Sequence, residues 1–352
     1  MTRTNQRSTI AKPIPDKTSR VATERPARVL VWGALGMIGS HVTEALVQAD
    51  CNVSVLCRSR GSVSRPWWAS KVDWHEIEDD CPEKTMERAI SSASMIINLA
   101  GMSGAVASNA KPLDSLDQNC RIQLQFLEAC RRAQHKPHVV FTSSRLVYGP
   151  AQSLPVHESH PLSPRSMYAA HKLCIEQYLQ IYAEMNALTY TVCRISNAYG
   201  YDSLGASRGY KILNSFIEKS LAGQPITLFG SGEQTRDFIH IDDLTALLLR
   251  CCLMPAAVNQ TINVGSGEAC RLVDAATLVR EMTGGPPLCF QPWPEEFLAV
   301  ESGDYVSDII RMQDLLDYTP RYSLKDGIEC TLHSYIEAQS RKADRTEPMA
   351  VA

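Results

Sequence analysis

Strand-like and helix-like patterns alternate along most of this sequence. Apolar runs at 28–32, 52–56, 94–100, 138–144 and 189–195 alternate with segments that have apolar residues at helical spacing. Continuous apolar runs are typical of strands buried on both faces, and a helix between two such strands makes a parallel crossover. The alternation therefore predicts an α/β fold with a doubly wound parallel sheet.

A glycine-rich turn joins the first predicted strand to the first predicted helix. The segment GALGMIG places Gly33, Gly36 and Gly39 between the two elements. Small residues there allow backbone N–H groups to approach a pyrophosphate at the positive end of the helix. We therefore predict a Rossmann dinucleotide-binding turn, in which Met37 and Ile38 also contact the cofactor.

The end of the second strand bears on the choice of cofactor. NAD sites usually place Asp or Glu there to bind the ribose 2′-hydroxyl. In this chain the position is Cys57, followed by Arg58, Ser59 and Arg60. Guanidinium groups bind a 2′-phosphate through charge-assisted, often bidentate hydrogen bonds. The segment favours NADP(H), with NAD(H) as the alternative; the plainer interpretation is a surface loop that happens to carry arginines.

The regular alternation of strand and helix patterns ends near residue 200, after which turn-rich sequence separates shorter apolar runs. We therefore predict a Rossmann NAD(P)-binding domain at 28–200 and a smaller C-terminal α/β substrate-binding domain at 201–340, partly interleaved with the first. Residues 1–27 are polar and without apolar periodicity, which predicts a disordered tail. Residues 341–352 are predicted to form a second tail.

Composition and charge narrow the class of protein. The 352 residues carry a formal net charge of −3, which gives no general attraction to nucleic acid or to an anionic membrane. The longest apolar runs are too short to cross a bilayer. The 12 cysteines show neither a CxxC pair nor ligand spacing. We therefore expect reduced thiols in a cytoplasmic protein, with no metal site and no nucleic-acid or membrane partner.

Two motifs supply groups for acid–base chemistry. In YAAHK, Tyr168 and Lys172 lie four residues apart and therefore on one face of a predicted helix. A tyrosine with an ordinary pKa of about 10 is a poor base, but a neighbouring ammonium group favours its phenolate form. Ser144 ends the strand at 138–144 and so places a hydroxyl at the carboxyl edge of the sheet, where ligands bind in α/β folds.

These motifs occur in the order that is known from one enzyme family. GALGMIG, NLAG, SSRLVYG, YAAHK, RISNAYG and RDFIHIDD follow one another along the chain. From about residue 28 to residue 340 the sequence resembles the extended short-chain dehydrogenase/reductase family, in its nucleotide-sugar epimerase/dehydratase/reductase branch. The resemblance implies an NAD(P)-dependent enzyme whose substrate is a small molecule, a nucleotide-diphosphate sugar. It also implies a homodimer.

The resemblance implies catalytic roles for four residues. Ser144 would hydrogen-bond the reacting oxygen, and Tyr168 would exchange the proton on that oxygen. Lys172 would hold the nicotinamide ribose and lower the pKa of Tyr168, so that both residues also contact the cofactor. Asn119 would order its helix and a relay water.

Further residues are implied to line the two ligand sites. Leu99 and Ala100 would line the cofactor channel, while Ser144, Asn197 and Arg236 would bind the substrate, the last two at its diphosphate. The family often places another diphosphate-binding arginine just before the closing GD, where this chain has a glutamate, ESGD. Two alternatives follow: the substrate carries its phosphates differently, or it lacks a nucleotide.

Two features separate the activities within this branch. Dehydratases and decarboxylases carry a carboxylate after the catalytic Ser or Thr, and Arg145 and Leu146 cannot replace it. Arg58 and Arg60 favour a reductase that consumes NADPH to reduce a 4-keto group, with Tyr168 as the proton donor. The first alternative is a nucleotide-sugar 4-epimerase with tightly bound NAD. The second is a non-catalytic regulator that binds NADP(H).

Overall fold

The structure is a computed structural model. It describes residues 28–58, 66–77, 81–204 and 211–346, with side chains described as far as residue 340. The tail predicted at 1–27 lies outside the described residues.

The strands of the structure are short, as is usual for buried parallel sheets. In chain order they are β1 (Arg28–Trp32), β2 (Asn52–Cys57), β3 (Asp73–Glu76), β4 (Met95–Asn98), β5 (His138–Ser144), β6 (Thr189–Ile195), β7 (Asn197–Tyr199), β8 (Thr227–Phe229), β9 (Thr235–Arg236), β10 (Phe238–His240), β11 (Gln260–Val264), β12 (Cys270–Arg271) and β13 (Cys289–Gln291).

The helices connect these strands. In chain order they are α1 (Met37–Gln48), α2 (Pro82–Ile90), α3 (Ala105–Ala110), α4 (Pro112–Leu116), α5 (Ile122–Arg132), α6 (Met167–Glu184), α7 (Ile212–Leu221), α8 (Ile241–Leu253), α9 (Leu272–Thr283), α10 (Glu295–Leu298), α11 (Ile310–Leu316) and α12 (Leu324–Thr346).

A seven-stranded parallel sheet forms the centre of the molecule. Its strand order is β11-β6-β5-β4-β1-β2-β3. The order reverses between β1 and β4, where Trp32 pairs with Asn98. In a doubly wound sheet, such a reversal opens a crevice at the carboxyl ends of the strands. The predicted Rossmann-type α/β sheet is confirmed.

Helices cover both faces of the sheet, and strand β1 shows why its sequence is apolar throughout. Val29 and Val31 face one side, where they join a core with α1 and α8. Leu30 and Trp32 face the other side, in a core with α2 and α5, and the ring centroids of Trp32 and Phe126 are 4.7 Å apart. Because successive strand residues point to opposite faces, a sheet covered on both sides needs apolar residues at every position.

The sequence pattern at 113–133 predicts one long helix, but the structure interrupts it. Between α4 and α5, residues Asp117–Arg121 form a π-helical turn. The turn buries Asn119 and Cys120, whereas Asp117 and Arg121 form an exposed ion pair at 2.7 Å. A π turn contains one more residue than a regular helical turn, and such turns occur frequently at functional sites.

The chain after residue 200 builds a smaller apolar core and also returns to the central sheet. Phe216, Val279 and Ile328 belong to the smaller core, while β11 pairs with β6 at the edge of the large sheet. We still propose the domain boundary near residue 200. Helix α12 continues to Thr346, past the predicted start of the C-terminal tail. Among the described residues, the helices are too short or too polar to span a membrane.

Candidate active site

The glycine turn between β1 and α1 is closed to larger side chains. Gly33 has φ 95°, and a Cβ there would lie 3.0 Å from the carbonyl carbon of Leu99. A Cβ on Gly39 would lie 2.1 Å from the Gly33 carbonyl oxygen. Gly36 precedes the helix in extended conformation, and its amide donates to the Gly33 carbonyl at 3.0 Å. The turn therefore depends on glycine for both its backbone conformation and its packing.

The start of α1 has the properties of an anion site. No side chain of the described residues caps its N-terminus, and its first turn contains no acidic residue. The N–H groups of Met37, Ile38 and Gly39 belong to the first turn, where backbone donors have no partner within the helix. With the positive end of the helix dipole, these donors fit the pyrophosphate of a dinucleotide.

A ring of hydrogen bonds ties the loop after β4 to helix α5. Asn98 Nδ2 donates to Gln123 Oε1 at 2.7 Å, and Gln123 Nε2 donates to the Ala100 carbonyl at 3.2 Å. The Ala100 amide in turn donates to Asn98 Oδ1 at 3.2 Å. These bonds fix Ala100, and Leu99 and Ala100 lie beside Gly33; their role in lining the cofactor channel stays a prediction.

The described residues at the end of β2 offer one cation toward the cofactor. Cys57 is buried, and Arg58 is exposed, with its Nη1 donating to Gln118 Oε1 at 2.9 Å. Ser59 and Arg60 lie outside the described residues. The prediction of a 2′-phosphate site therefore rests, among the described residues, on Arg58 alone, whose guanidinium already has a neutral partner.

Ser144 and Tyr168 come together because two elements end and begin at the same edge of the sheet. Ser144 is the last residue of β5, and its Oγ accepts a hydrogen bond from the Leu146 amide at 3.2 Å. Tyr168 lies in the first turn of α6, which Ser166 caps. The Tyr168 amide donates to Ser108 Oγ at 2.9 Å, so α3 holds the start of α6 in place.

Burial shifts the pKa values of the two residues of YAAHK in opposite senses. It raises the pKa of Tyr168 to about 12, although the Ser144 hydroxyl opposes this shift. It lowers the pKa of Lys172 to about 8, against the attraction of Glu176. Burial disfavours the charged form of each group. At neutral pH the phenol is therefore protonated, as a proton donor must be.

Lys172 is held by a backbone carbonyl and lies close to the ring of Tyr168. Its Nζ donates to the Thr142 carbonyl at 2.7 Å and lies 5.8 Å from the ring centroid of Tyr168. Glu176 does not neutralise it directly, because Arg194 Nη2 binds that carboxylate at 2.7 Å. The ammonium charge of Lys172 thus remains available to stabilise a phenolate on Tyr168. We call Ser144, Tyr168 and Lys172 the catalytic group.

Asn119 presents a buried acceptor beside the catalytic group. Its Nδ2 donates to the Met102 carbonyl at 3.1 Å and to Ser115 Oγ at 3.2 Å. Its Oδ1 is buried without a hydrogen-bond partner among the described residues, which fits a donor from a relay water or a ribose. Ser115 Oγ also contacts His171 Nδ1 at 3.0 Å. No local sequence pattern reveals this link from the π turn to α6.

On the substrate side, Arg236 already has a carboxylate partner. Its Nη2 donates to both carboxylate oxygens of Glu301, at 2.7 and 2.8 Å, and its Nη1 donates to the Gly303 carbonyl at 2.8 Å. Asn197 is half-buried, and its Nδ2 donates to the Asp237 carbonyl at 3.0 Å. The predicted role of Asn197 and Arg236 at a diphosphate remains a prediction.

Arg145 is a site residue that sequence reasoning missed. It is only 8% exposed, and its Nη1 donates to Ser302 Oγ at 3.1 Å. Its guanidinium carbon lies 5.1 Å from the ring centroid of Tyr305. Burial, and then the charge of Arg236, lower its pKa to about 10. The sequence does contain the signal, since Arg145 directly follows the predicted catalytic Ser144.

One further cluster of chemically active side chains lies in the C-terminal part. His240, Asp242 and Cys330 place three potential metal-ligand atoms within 4.8 Å of one another. His240 Nδ1, however, accepts a hydrogen bond from the Asp242 amide at 3.3 Å and so caps helix α8. This contact supports a structural role for His240.

Comparison with known families places this site in its context. Residues 29–265 match the model of the NAD dependent epimerase/dehydratase family. The chain belongs to this family. The predicted relationship to extended short-chain dehydrogenases/reductases is confirmed, and the protein is an NAD(P)-dependent enzyme of that type.

Similar proteins share almost the whole described fold. The UDP-glucose 4-epimerase of Azospirillum brasilense is 28% identical over 325 residues, 87% of this chain and 91% of that one. The UDP-glucose 4-epimerase of Thermotoga maritima, solved with UDP-glucose, is 25% identical with a TM-score of 0.79, over 89% of this chain and 99% of that one. The UDP-glucose 4-epimerase of Thermus thermophilus, solved with NAD, is 26% identical with a TM-score of 0.78, over 88% and 99%.

Proposed function

We propose that the protein is a nucleotide-sugar 4-epimerase that acts on a UDP-sugar and recycles a tightly bound NAD. The observation that carries this proposal is the catalytic group, which lies at the carboxyl edge of the sheet beside a turn fitted for a dinucleotide. No carboxylate follows Ser144 in the chain, where Arg145 and Leu146 stand. This argues against dehydration and leaves chemistry at the C4 oxygen alone.

Tyr168 moves the proton in this reaction. Its phenolic oxygen removes the proton of the C4 hydroxyl and later returns a proton to the same oxygen. Ser144 Oγ donates a hydrogen bond to that oxygen and holds it next to Tyr168. Because the two residues are fixed by the end of β5 and the start of α6, the sugar oxygen meets both groups at one place.

Lys172 makes Tyr168 able to act as a base. Burial, opposed by the Ser144 hydroxyl, raises the pKa of Tyr168 to about 12, so removal of a proton from the sugar requires a nearby positive charge. The Lys172 ammonium supplies it at 5.8 Å from the ring centroid. When bound, a nicotinamide dinucleotide would supply the acceptor for the hydride of C4 and the hydride for the return step. The residues that would hold the dinucleotide are Gly33, Met37, Ile38, Leu99 and Ala100.

The similarity to relatives described as UDP-glucose 4-epimerases supports this function over the reductase favoured by the sequence alone. The relatives include a structure with NAD, and nothing in the comparisons supports a preference for NADP. Arg58 is the observation that favours NADP among the described residues. Its exposed guanidinium and its bond to Gln118 make it a weak argument for a 2′-phosphate.

We also propose that the protein forms a homodimer. Large apolar side chains are exposed on helices α4 to α6 and directly after α6; they are Leu113, Leu116, Leu124, Ile181 and Met185. Exposed apolar groups of this size often mark a surface that another chain covers. Light scattering of the purified protein should give twice the mass of the chain, and a monomer would contradict this proposal.

The epimerase is tested with UDP-glucose deuterated at C4. The purified enzyme, without added cofactor, should convert it to a mixture of the two C4 epimers that keeps the deuterium at C4, as measured by NMR. Mass spectrometry of the denatured protein should identify NAD. A reductase would instead give no epimer from UDP-glucose, would consume NADPH with a 4-keto sugar nucleotide, and would transfer hydride from NADPH to the product.

A further inference from the structure

Arg145 is a buried cation with few partners. Its side chain is more than nine-tenths buried, and among the described residues its guanidinium makes one hydrogen bond, from Nη1 to Ser302 Oγ. No carboxylate of the described residues forms an ion pair with this guanidinium. A guanidinium has five N–H donors, so most of its hydrogen-bonding capacity is not used by the protein.

The neighbouring charges are already engaged with other groups. Arg236 and Glu301 bind each other through two hydrogen bonds, at 2.7 and 2.8 Å. The Asp237 carboxylate accepts from neutral donors, among them the amide and hydroxyl of Ser266, both at 2.8 Å. The carboxylates near Arg145 therefore bind other partners, and Arg236 adds a repulsion that contributes to its lowered pKa.

This arrangement is costly for the protein unless something else binds the guanidinium. Buried charged groups are normally paired, because an unpaired buried charge loses its solvation without compensation. The Tyr305 ring, 5.1 Å away, provides a cation–π contact but accepts none of the remaining N–H groups in the guanidinium plane. A planar fork of donors is matched by the oxygens of a phosphate or a carboxylate.

The position of Arg145 indicates which molecule brings those oxygens. It directly follows Ser144, which holds the reacting oxygen in the proposed function, so its backbone lies at the end of β5 where the substrate is expected. Its charged neighbours, Arg236 and Glu301, come from the C-terminal part of the chain. A substrate held at Ser144 is therefore the molecule expected to bring an oxyanion to Arg145.

We propose that Arg145 binds an anionic oxygen group of the sugar nucleotide, either its diphosphate or a carboxylate on the sugar, and thereby determines which substrate is accepted. This inference rests on the proposed function, because it takes a sugar nucleotide as the substrate. The two sources share one chemistry, an oxyanion that accepts two N–H groups from one guanidinium.

Binding of four ligands to the full-length protein separates these sources. Calorimetry would compare UDP, UDP-glucose, UDP-glucuronic acid and uridine, with wild type and Arg145→Met, which keeps the apolar stem. Arg280→Met, which removes a remote half-exposed arginine, is the matched control. Loss of a charged hydrogen-bonding partner should weaken binding by about tenfold to a hundredfold.

A loss for UDP and for both sugar nucleotides, but not for uridine, identifies the diphosphate as the ligand of Arg145. A loss confined to UDP-glucuronic acid identifies the sugar carboxylate. Unchanged binding of all ligands, or an equal loss for uridine, would overturn the proposal. If wild type binds none of the nucleotides, the proposed function fails as well, whereas wild-type binding that survives Arg145→Met refutes only the role of Arg145.

A second variant keeps the test decisive if Arg145→Met does not fold. Glu301→Gln removes the negative charge beside Arg236 and leaves the cluster more positive. It should tighten the binding of UDP by about threefold or more, because the same anion meets less opposing charge. Misfolding cannot produce such a gain, and weaker or unchanged binding of UDP by Glu301→Gln would count against the proposal.

Discussion

The catalytic group and the arginine cluster (Arg145, Arg236 and Glu301) are both buried and charged, but they are assembled in different ways. The catalytic group joins the end of β5 to the start of α6, and its lysine is held by a backbone carbonyl. The arginine cluster joins side chains that are 157 and 65 residues apart in the chain, through hydrogen bonds to Ser302 and Glu301.

The two regions use buried charge differently. In the catalytic group the environment leaves charge available, since the Lys172 ammonium has no carboxylate in direct contact among the described residues. In the arginine cluster, Arg236 binds Glu301 and two backbone carbonyls, whereas Arg145 makes one hydrogen bond among the described residues. We therefore expect substitutions in the catalytic group to affect turnover, and substitutions at the Arg236–Glu301 pair to affect stability.

The largest effect is expected from Tyr168→Phe. Loss of the phenolic proton should reduce kcat by about a hundredfold to ten-thousandfold, the range of general acid–base catalysis, while UDP binding and the melting temperature stay nearly unchanged. Steady-state kinetics and calorimetry measure the two quantities. Tyr182→Phe, on the same helix, removes a hydroxyl that binds Glu128 and should leave kcat unaltered. A variant that lost stability instead of turnover would break the distinction between the two regions.

A smaller effect, on the free energy of unfolding, is expected from Arg236→Met. It should destabilise the protein by about 3 kcal/mol, because Glu301 loses its partner in a largely buried position. Urea denaturation of Arg236→Met, Glu301→Gln and the double variant would give the coupling energy. The double variant should be less destabilised than the sum of the single variants. Strict additivity would show that the two side chains do not stabilise each other.

The smallest effect concerns the pH dependence of stability. The pKa of Lys172 is about 8 in the folded chain and 10.5 ordinarily, so the unfolded chain binds this proton more tightly. Burial of the charged lysine therefore costs stability below about pH 8, and the cost is relieved as pH rises toward 10.5. Between about pH 8 and pH 9, wild type should gain about 1 kcal/mol in unfolding free energy relative to Lys172→Met. Parallel pH profiles of the two proteins would contradict the lowered pKa.

The parts of the fold that could be predicted from the sequence are those fixed by local patterns. The apolar run of β1 and the glycines at 33, 36 and 39 indicate a strand, a turn and a helix without knowledge of the rest of the chain. The same holds for Tyr168 and Lys172, whose spacing places them on one helical face. Such features need only the periodicity of one element.

The features that were missed depend on contacts between distant segments. The π turn at Asp117–Arg121 lies within a sequence that has ordinary helical spacing, so the pattern predicted one uninterrupted helix. The pairing of Arg236 with Glu301 was also not anticipated, because no local pattern reveals it; the role of Arg236 at a diphosphate stays a prediction. The burial of an arginine beside Ser144 could not be predicted either, because it depends on Ser302 and Tyr305 from a distant part of the chain.

The π turn also sets a constraint on changes in chain length. A π turn is one residue longer than the α-helical turn it replaces, so it behaves as an insertion that the helix has absorbed. Deleting one residue between 117 and 121 would restore a regular helix, and each helical residue corresponds to a rotation of about 100°. Asn119 would then turn away from Met102 and Ser115. A sequence alignment that leaves out this extra residue would therefore assign the residues on one side of the turn to the wrong face of the helix.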